Sequence, residues 1–256
     1  MRYSTLCVPA LVVTSTALAL VGALPVQASD MDRKTETSAM ESYNFKTYLK
    51  DDTIMVYSSA GVVTLTGTVA QEDHKSLARE TVAGLPGVKS VINLLTVSGA
   101  QPEERSDRWI TMKVKMALAF HKNVSAAATE VQSRNGVVTL SGNVDSEADK
   151  LLTAEYAMDV EGVTGVRNDL AVTTVPPAHE GLGEKVDDAS ITAQIKTTLL
   201  FRKSTHTVTT HVTTREGVVT LRGKARSNEE KSLVTRIAED IKGVKQVNNR
   251  MTLRQP

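Results

Sequence analysis

The chain has 256 residues, 30 Lys and Arg against 29 Asp and Glu, one cysteine and 4% aromatics. The length suits one or two domains, and a formal charge of +1 argues against a dedicated nucleic-acid binder. The single cysteine, Cys7, lies in what reads as a removable leader, so disulfides, thiolate catalysis and thiolate metal sites are excluded from the mature chain.

That leader spans 1–28. Met1-Arg2 gives a short positive start, Val8 to Ala23 is an apolar run too short for a spanning helix, and Val26-Gln27-Ala28 is a small-residue cleavage site. The expected mature N-terminus is Ser29. Cys7 precedes the apolar run, so it is badly placed to carry a lipid anchor. Removing 28 residues leaves 228, with 29 basic against 29 acidic side chains. The expectation is a soluble, exported, unanchored protein.

Three copies of one heptapeptide organise what remains: Gly61-Val-Val-Thr-Leu-Thr-Gly67, Gly136-Val-Val-Thr-Leu-Ser-Gly142 and Gly217-Val-Val-Thr-Leu-Arg-Gly223. In each, a second Gly-Val begins 26 residues after the first glycine, at Gly87, Gly162 and Gly243. Repetition of two motifs at one spacing marks a threefold internal repeat. Each unit reads helix, strand, strand, helix, strand. Ile110, Val114, Ala117 and Leu118 share one helical face, as do Ile191, Ile195 and Leu199. Val138 and Leu140 alternate with Val137 and Thr139 at the period of a half-covered strand. Asn135-Gly136 is a hairpin turn signal. Ser146 and Ser227, each followed three residues later by a carboxylate, start the second helix. Its buried stripes are Leu77, Val82 and Leu85; Leu152, Ala157 and Val160; and Leu233, Ala238 and Ile241. Gly87, Gly162 and Gly243 are expected to end that helix in a left-handed conformation. Strand three of the second unit carries Val166, Leu170 and Val172.

The fold class is therefore α+β: three tandem αββαβ modules, each a small three-stranded sheet covered on one face by two helices. Modules this short bury only about 60% of their extended-chain surface, so packing between them is expected to add stability. The module bounds read 39–98, 107–175 and 188–254, with linkers near 98–106 and 174–187. For the first module, two registers are open. A gapped one aligns Lys46-Thr-Tyr-Leu49 with Lys196-Thr-Thr-Leu199 and shortens the helix-to-strand connection; a gapless one stacks Phe45, Phe120 and Phe201. The gapped register is preferred.

With these heptads and the later Gly162-Val-Thr-Gly-Val-Arg-Asn168 and Gly243-Val-Lys-Gln-Val-Asn-Asn249, the chain resembles three tandem BON domains over about residues 39–254. The resemblance implies the αββαβ fold and a periplasmic, non-enzymatic binding role. Such a role would be anionic phospholipid recognition, protection under osmotic or envelope stress, or help to outer-membrane proteins. A soluble periplasmic chaperone for unfolded exported proteins is the alternative.

The residues offer no catalytic set, no metal site and no cofactor site. The five histidines at 74, 121, 179, 206 and 211 are scattered and read as surface or loop residues. Lys75, Lys150 and Lys231 recur at one position of helix two, either as a solvated face or as a row of anion contacts. Asn93, Asn168 and Asn249 recur in the apolar phase of strand three and, like the motif glycines, read as structural, bonded to backbone. The helix from Asp107 has a second apolar face, with Trp109, Met112, Met116 and Phe120 within an arc of about 80°. Lys113 and Lys115 stand beside it. A helix apolar on two faces is buried twice, here against a neighbouring module or against a membrane surface or client. Asp107-Arg-Trp-Ile-Thr111 resembles the opening of the lipid-contacting helix in two-module outer-membrane BON lipoproteins, which favours the membrane. Finally, Ile92 and Leu94 point outward on strand three with Val62 beside them. Arg167 and Asp169, or Asn248 and Arg250, stand there in the other units. The aliphatic patch is expected to be covered by another module or by a second copy. The oligomeric state is open.

Overall fold

The computed structural model describes residues 30–99, 102–124, 126–173, 185–205 and 209–254; the leader, His179, His206 and most of the second linker lie outside them. Module 1 comprises α1 (Asp30–Glu41), α2 (Tyr43–Thr47), β1 (Thr53–Ser59), β2 (Val62–Val69), α3 (Glu72–Ala83), β3 (Ser90–Asn93) and β4 (Thr96–Val97). Module 2 comprises α4 (Asp107–Phe120), a 3-10 turn (Ala126–Ala128), β5 (Thr129–Arg134), β6 (Val137–Val144), α5 (Glu147–Asp159) and β7 (Gly165–Val172). Module 3 has α6 (Asp188–Phe201), β8 (Thr209–Arg215), β9 (Val218–Ala225), α7 (Asn228–Glu239), β10 (Gln246–Asn249) and β11 (Thr252–Leu253). Each sheet is mixed, an antiparallel hairpin with the third strand parallel to its second member. The fold is α+β, with helices over one face of each sheet.

One carboxylate ties each first helix to its hairpin. The turns Ala60-Gly61, Asn135-Gly136 and Glu216-Gly217 all take positive φ at both residues, the primed geometry that matches strand twist. Asp107 accepts from the N–H groups of Asn135 (2.8 Å) and Gly136 (3.0 Å) and from the Ser133 hydroxyl (2.6 Å), which holds its carboxyl below the usual range. Asp188 does the same for Glu216 and Gly217, and Asp32 for Ser58 and Ala60. In all three, aspartate and turn are 28 residues apart. This corrects the preferred register. The gapless alignment holds and module 1 starts before residue 39; no residues are missing between aspartate and turn, and the stretch from Thr47 to Thr53 is short because α2 runs past Phe45 and β1 begins early. Its first helix is instead interrupted at Ser42, whose hydroxyl donates to Ala39 O (2.7 Å).

The heptad's closing glycine has a steric cause. A Cβ on Gly142 would lie 1.9 Å from Ala128 O, and one on Gly67 would lie 2.0 Å from Thr53 O. The glycines at 87, 162 and 243 are left-handed, but α3, α5 and α7 have ended by Ala83, Asp159 and Glu239. They turn the chain into strand three rather than cap the helix. Ser146 and Ser227 do cap, accepting from Asp149 N and Glu230 N. The recurrent asparagines lock strand three to helix two. Asn93, Asn168 and Asn249 donate to the carbonyls of Lys75, Lys150 and Lys231 at 3.0, 2.7 and 2.9 Å, and each accepts from the N–H two residues on.

Modules 1 and 3 share one core. α3 packs on α6, and α6 is buried nearly all round, from Ala189 to Phe201. Between them Asn44, wholly buried, donates to Thr81 Oγ1 (2.8 Å) and accepts from Gln194 (2.8 Å), while its N–H donates to Ser190 Oγ (3.1 Å). Because their helices face one another, each sheet turns its uncovered side away from this core. Module 2 has a core of its own around Ile110, Val114, Leu118, Leu140 and Leu170. It joins module 3 through a pseudo-twofold. His121 bridges to Ile241 and Arg202 bridges to Val160. Lys122 N donates to Asp240 O (3.0 Å), as Lys203 N does to Asp159 O (2.9 Å).

Candidate functional surfaces

The helix singled out by sequence, α4, is capped by Ser106 and buries its first stripe, Ile110, Val114, Ala117 and Leu118, in module 2. Its second face turns inward as well. Phe120 is fully buried, edge-on to Tyr48 of module 1 at 5.0 Å, and the Tyr48 hydroxyl donates to Ala119 O (2.9 Å). Burial among these rings pushes the Tyr48 phenol far above its ordinary pKa. Met116 is buried in the core shared by modules 1 and 3. Lys113 forms an ion pair with Asp73 of module 1 and lies 3.8 Å over the Phe201 ring of module 3. Trp109 and Met112 are half-buried; Lys115 is exposed. The structure thus spends Met116, Phe120 and Lys113 on neighbouring modules.

Lys75, Lys150 and Lys231 are half-buried; Lys231 donates to Met251 O (2.7 Å), and Lys75 stands 3.7 Å from Glu72. The histidines are not all superficial, which corrects that reading. His121 is fully buried, stacked on Tyr156 at 3.7 Å, with Asp240 3.1 Å from Nδ1. His74 is bonded to Asp52 (2.6 Å), which also accepts from Ala70 N (2.7 Å) and so closes the start of α3. Among the described residues no hydroxyl or thiol bonds to this pair, and no three His, Cys, Asp or Glu side chains converge as a metal site.

What differs most between the modules is the uncovered sheet face. Module 2 presents Glu130, Gln132, Arg134, Thr139, Ser141, Arg167 and Asp169, and balances them internally: Gln132 bonds Glu130 (3.1 Å) and Arg167 pairs with Asp169 (2.8 Å). Module 1 presents Met55, Tyr57, Val62, Thr64, Thr66, Ile92 and Leu94. Met55, Tyr57, Ile92 and Leu94 are 60%, 53%, 47% and 58% exposed. Of the two coverings expected for Val62, Ile92 and Leu94, burial under another module is not formed by the described residues. Val62 is half-buried within its own sheet.

Module 3 presents His211, Thr213 and Arg215 from β8, Thr220, Arg222 and Lys224 from β9, and Gln246, Asn248 and Arg250 beyond them. His211 pairs across the hairpin with Arg222, and Arg250 N donates to Leu221 O (2.8 Å), which sets Arg250 on the other flank of Arg222. Arg215, Arg222, Lys224 and Arg250 are all exposed. Among the described residues none of the four is in an ion pair, and no strand position on this face carries a carboxylate; Glu216 sits in the turn at its end. A shallow concavity between the hairpin strands is lined by His211, Thr213, Arg215, Thr220 and Arg222. Like charges placed side by side on a sheet repel, and an anion opposite them would relieve that repulsion. Sequence reading missed this face because it took the outward phase of β10 alone; the same phase read along β8 and β9 shows the cations.

Three small mixed sheets, each covered on one face by its helices and joined in tandem, define a protein of three αββαβ modules. Sequence comparison makes the class specific: the BON domain profile matches residues 32–99, 106–174 and 187–255, and the chain belongs to the BON domain family. It is 37% identical over 144 residues to the osmotically-inducible protein Y of Escherichia coli K12, covering 56% of this chain and 70% of that one. It is 35% identical over 108 residues to the outer membrane lipoprotein DolP of Haemophilus influenzae, covering 41% of this chain and 55% of DolP. Among solved structures, the C-terminal domain of CdsD, a structural protein of the type III secretion system of Chlamydia trachomatis, aligns over 90% of this chain and all of its own. The identity is 18% and the TM-score 0.23, too low to bear on function.

Proposed function

We propose that this chain is a non-enzymatic protein of the bacterial envelope, exported to the periplasm without a lipid anchor, that protects the envelope by docking on anionic phospholipid. The basic sheet face of module 3 carries this reading. Four exposed cations and His211 stand on one side of one small sheet, with no carboxylate among the strands. A flat, polar, cationic face suits a headgroup plane better than a folded envelope protein, whose footprint would need apolar anchors at the centre of the contact. The relation to an outer membrane lipoprotein agrees with work at a membrane surface. Among the described residues no helix is long and apolar enough to cross a bilayer. Met116, Phe120 and Lys113 of α4 are already engaged by neighbouring modules, which leaves module 3 rather than the Trp109 helix to face lipid.

The test is vesicle flotation. Binding is expected to vesicles containing phosphatidylglycerol and not to phosphatidylcholine alone, and to fade as salt shortens the Debye length below about 8 Å. Arg222→Glu with Arg250→Glu should weaken it about tenfold or more. Trp109→Ala should change it less than the double reversal does. Equal binding to neutral vesicles, or an unaffected double variant, would overturn the proposal.

A further inference from the structure

The uncovered sheet face of module 1 is built on an opposite chemistry, independent of the basic face. Its outward side chains fall in two transverse rows. Tyr57 on β1 lies opposite Thr64 on β2, which lies opposite Ile92 on β3. Met55 lies opposite Thr66, and Leu94, whose N–H donates to Leu65 O (2.8 Å), stands on the other side of that threonine. Each row is thus a threonine between two large apolar groups. Ser59, Val62, Ser90 and Thr96 extend the face, and none of its outward strand positions is charged. The equivalent rows in modules 2 and 3 carry Glu130, Arg167 and Asp169, or His211, Arg222 and Arg250. One sheet in three has lost every charge while keeping the fold.

We infer that this face is a self-association surface whose occupant is the same face of a second copy of the chain. With no cation it offers nothing to anionic headgroups. With no charge at all, it also leaves none stranded when two copies meet, so it is complementary to itself. A two-fold axis parallel to the strands sets Tyr57 and Met55 of one copy over Ile92 and Leu94 of the other, with the threonines meeting at the centre. That is the interdigitation of an aligned sheet-on-sheet contact about 10 Å thick. Four large side chains at about half exposure, with the threonines between them, present on the order of 500–600 Å² per copy. Pairing two faces hides roughly 1,000–1,200 Å², at the lower end of specific interfaces, so the dimer is reversible and concentration-dependent. The face points away from the core shared by modules 1 and 3, so pairing leaves the basic face of module 3 free. Because the two faces of one copy point away from each other across the shared core, the dimer carries its two basic faces on opposite outer sides, where each stays accessible.

Sedimentation velocity on the purified exported chain tests this between about 1 and 200 µM, the range in which small interfaces assemble. The parent should pass from monomer towards twice the mass. Leu94→Lys and Met55→Lys, each pressing an unpaired ammonium against the apolar side chain it faces on the other copy, should remain monomeric throughout and shift the dissociation constant at least tenfold. Both sites are exposed, so the thermal midpoints should stay near the parent's, and circular dichroism confirms the fold. Arg222→Glu should dimerise as the parent does even where it loses vesicle binding, which separates this inference from the lipid proposal. A parent monomeric at 200 µM overturns the inference, as does a dimer that survives both lysine variants. If the parent stays monomeric while Leu94→Lys loses the power to keep an unfolded outer-membrane protein from aggregating, the face belongs to a client and the inference also fails.

Discussion

At the scale of single residues, His121 joins burial to titration. Its ring is wholly buried against Tyr156, and neither nitrogen is aligned for a hydrogen bond. Burial lowers its pKa below 6.5, helped by the charges of Arg202 and Lys242, while Asp240 pulls the other way and loses. Above pH 6.5 the ring is neutral folded or unfolded, and stability does not depend on it. As pH falls below 6.5 the unfolded chain takes up a proton that the folded chain resists, and stability falls. At pH 5.5 the loss is no more than about 1.4 kcal/mol, one pKa unit of linkage. His121→Phe keeps a ring on Tyr156 and cannot titrate; its thermal midpoint should fall less than the parent's between pH 7.5 and 5.5, and equal falls would place the effect elsewhere. Asn168→Leu, which removes both the bond to the Lys150 carbonyl and the acceptor of Leu170 N–H, should cost about 1–3 kcal/mol by urea unfolding. The asparagines were legible because a polar group in an apolar phase needs a partner, although the partner itself, a carbonyl 18 residues back, was not. His121 was misread because its burial comes from Tyr156 and Ile241, on elements that no local pattern ties to it.

At the scale of elements, α4 shows what periodicity carries and where it stops. The two apolar faces were visible at 3.6 spacing, and so was the need for two burials. Which partner takes the second face depends on how modules 1 and 3 approach, and one helix does not contain that information. The register of module 1 failed for a related reason. Similar Lys-Thr-x-Leu strings outweighed the aspartate 28 residues before the turn, a pairing whose meaning appears only when its hydrogen bonds to the turn N–H groups are seen. Phe45, Phe120 and Phe201 do occupy one structural position, and all three are buried. Phe120→Ala should therefore cost about 3–5 kcal/mol, as a buried aromatic truncation does. Lys115→Ala, one helical turn away on the exposed side, should stay within about 0.5 kcal/mol. Denaturant unfolding of both variants checks the assignment; comparable effects would mean that α4 is not packed inward at its C-terminal end.

The repeat is equal in sequence and unequal in the whole molecule. Module 2 closes its own core with Ile110, Leu118, Leu140 and Leu170, all of them at most 2% exposed. Module 3 does not, because α6 buries its own stripe under its sheet and sinks Ser190 and Gln194 against module 1. In isolation those polar groups return to water harmlessly, but Ala193 and Phe201 lose their cover, and a domain this small has little stability to lose. Residues 106–174 expressed alone should accordingly give dispersed amide spectra and a cooperative melt, despite exposing Met116 and Phe120. Residues 187–255 alone should melt broadly or not fold, and should gain cooperativity when residues 30–99 are supplied in trans, since the Asn44 network and the Lys196–Glu80 pair at 3.0 Å can reform between chains. Titrating one fragment with the other by amide spectroscopy gives the answer. A module 3 that folds alone, with no shift on adding module 1, would show that the shared core is a contact between finished domains. Sequence identity among the repeats hides this asymmetry, because the positions that create it, Asn44, Ser190 and Gln194, lie outside the repeated motifs and become partners only when modules 1 and 3 meet.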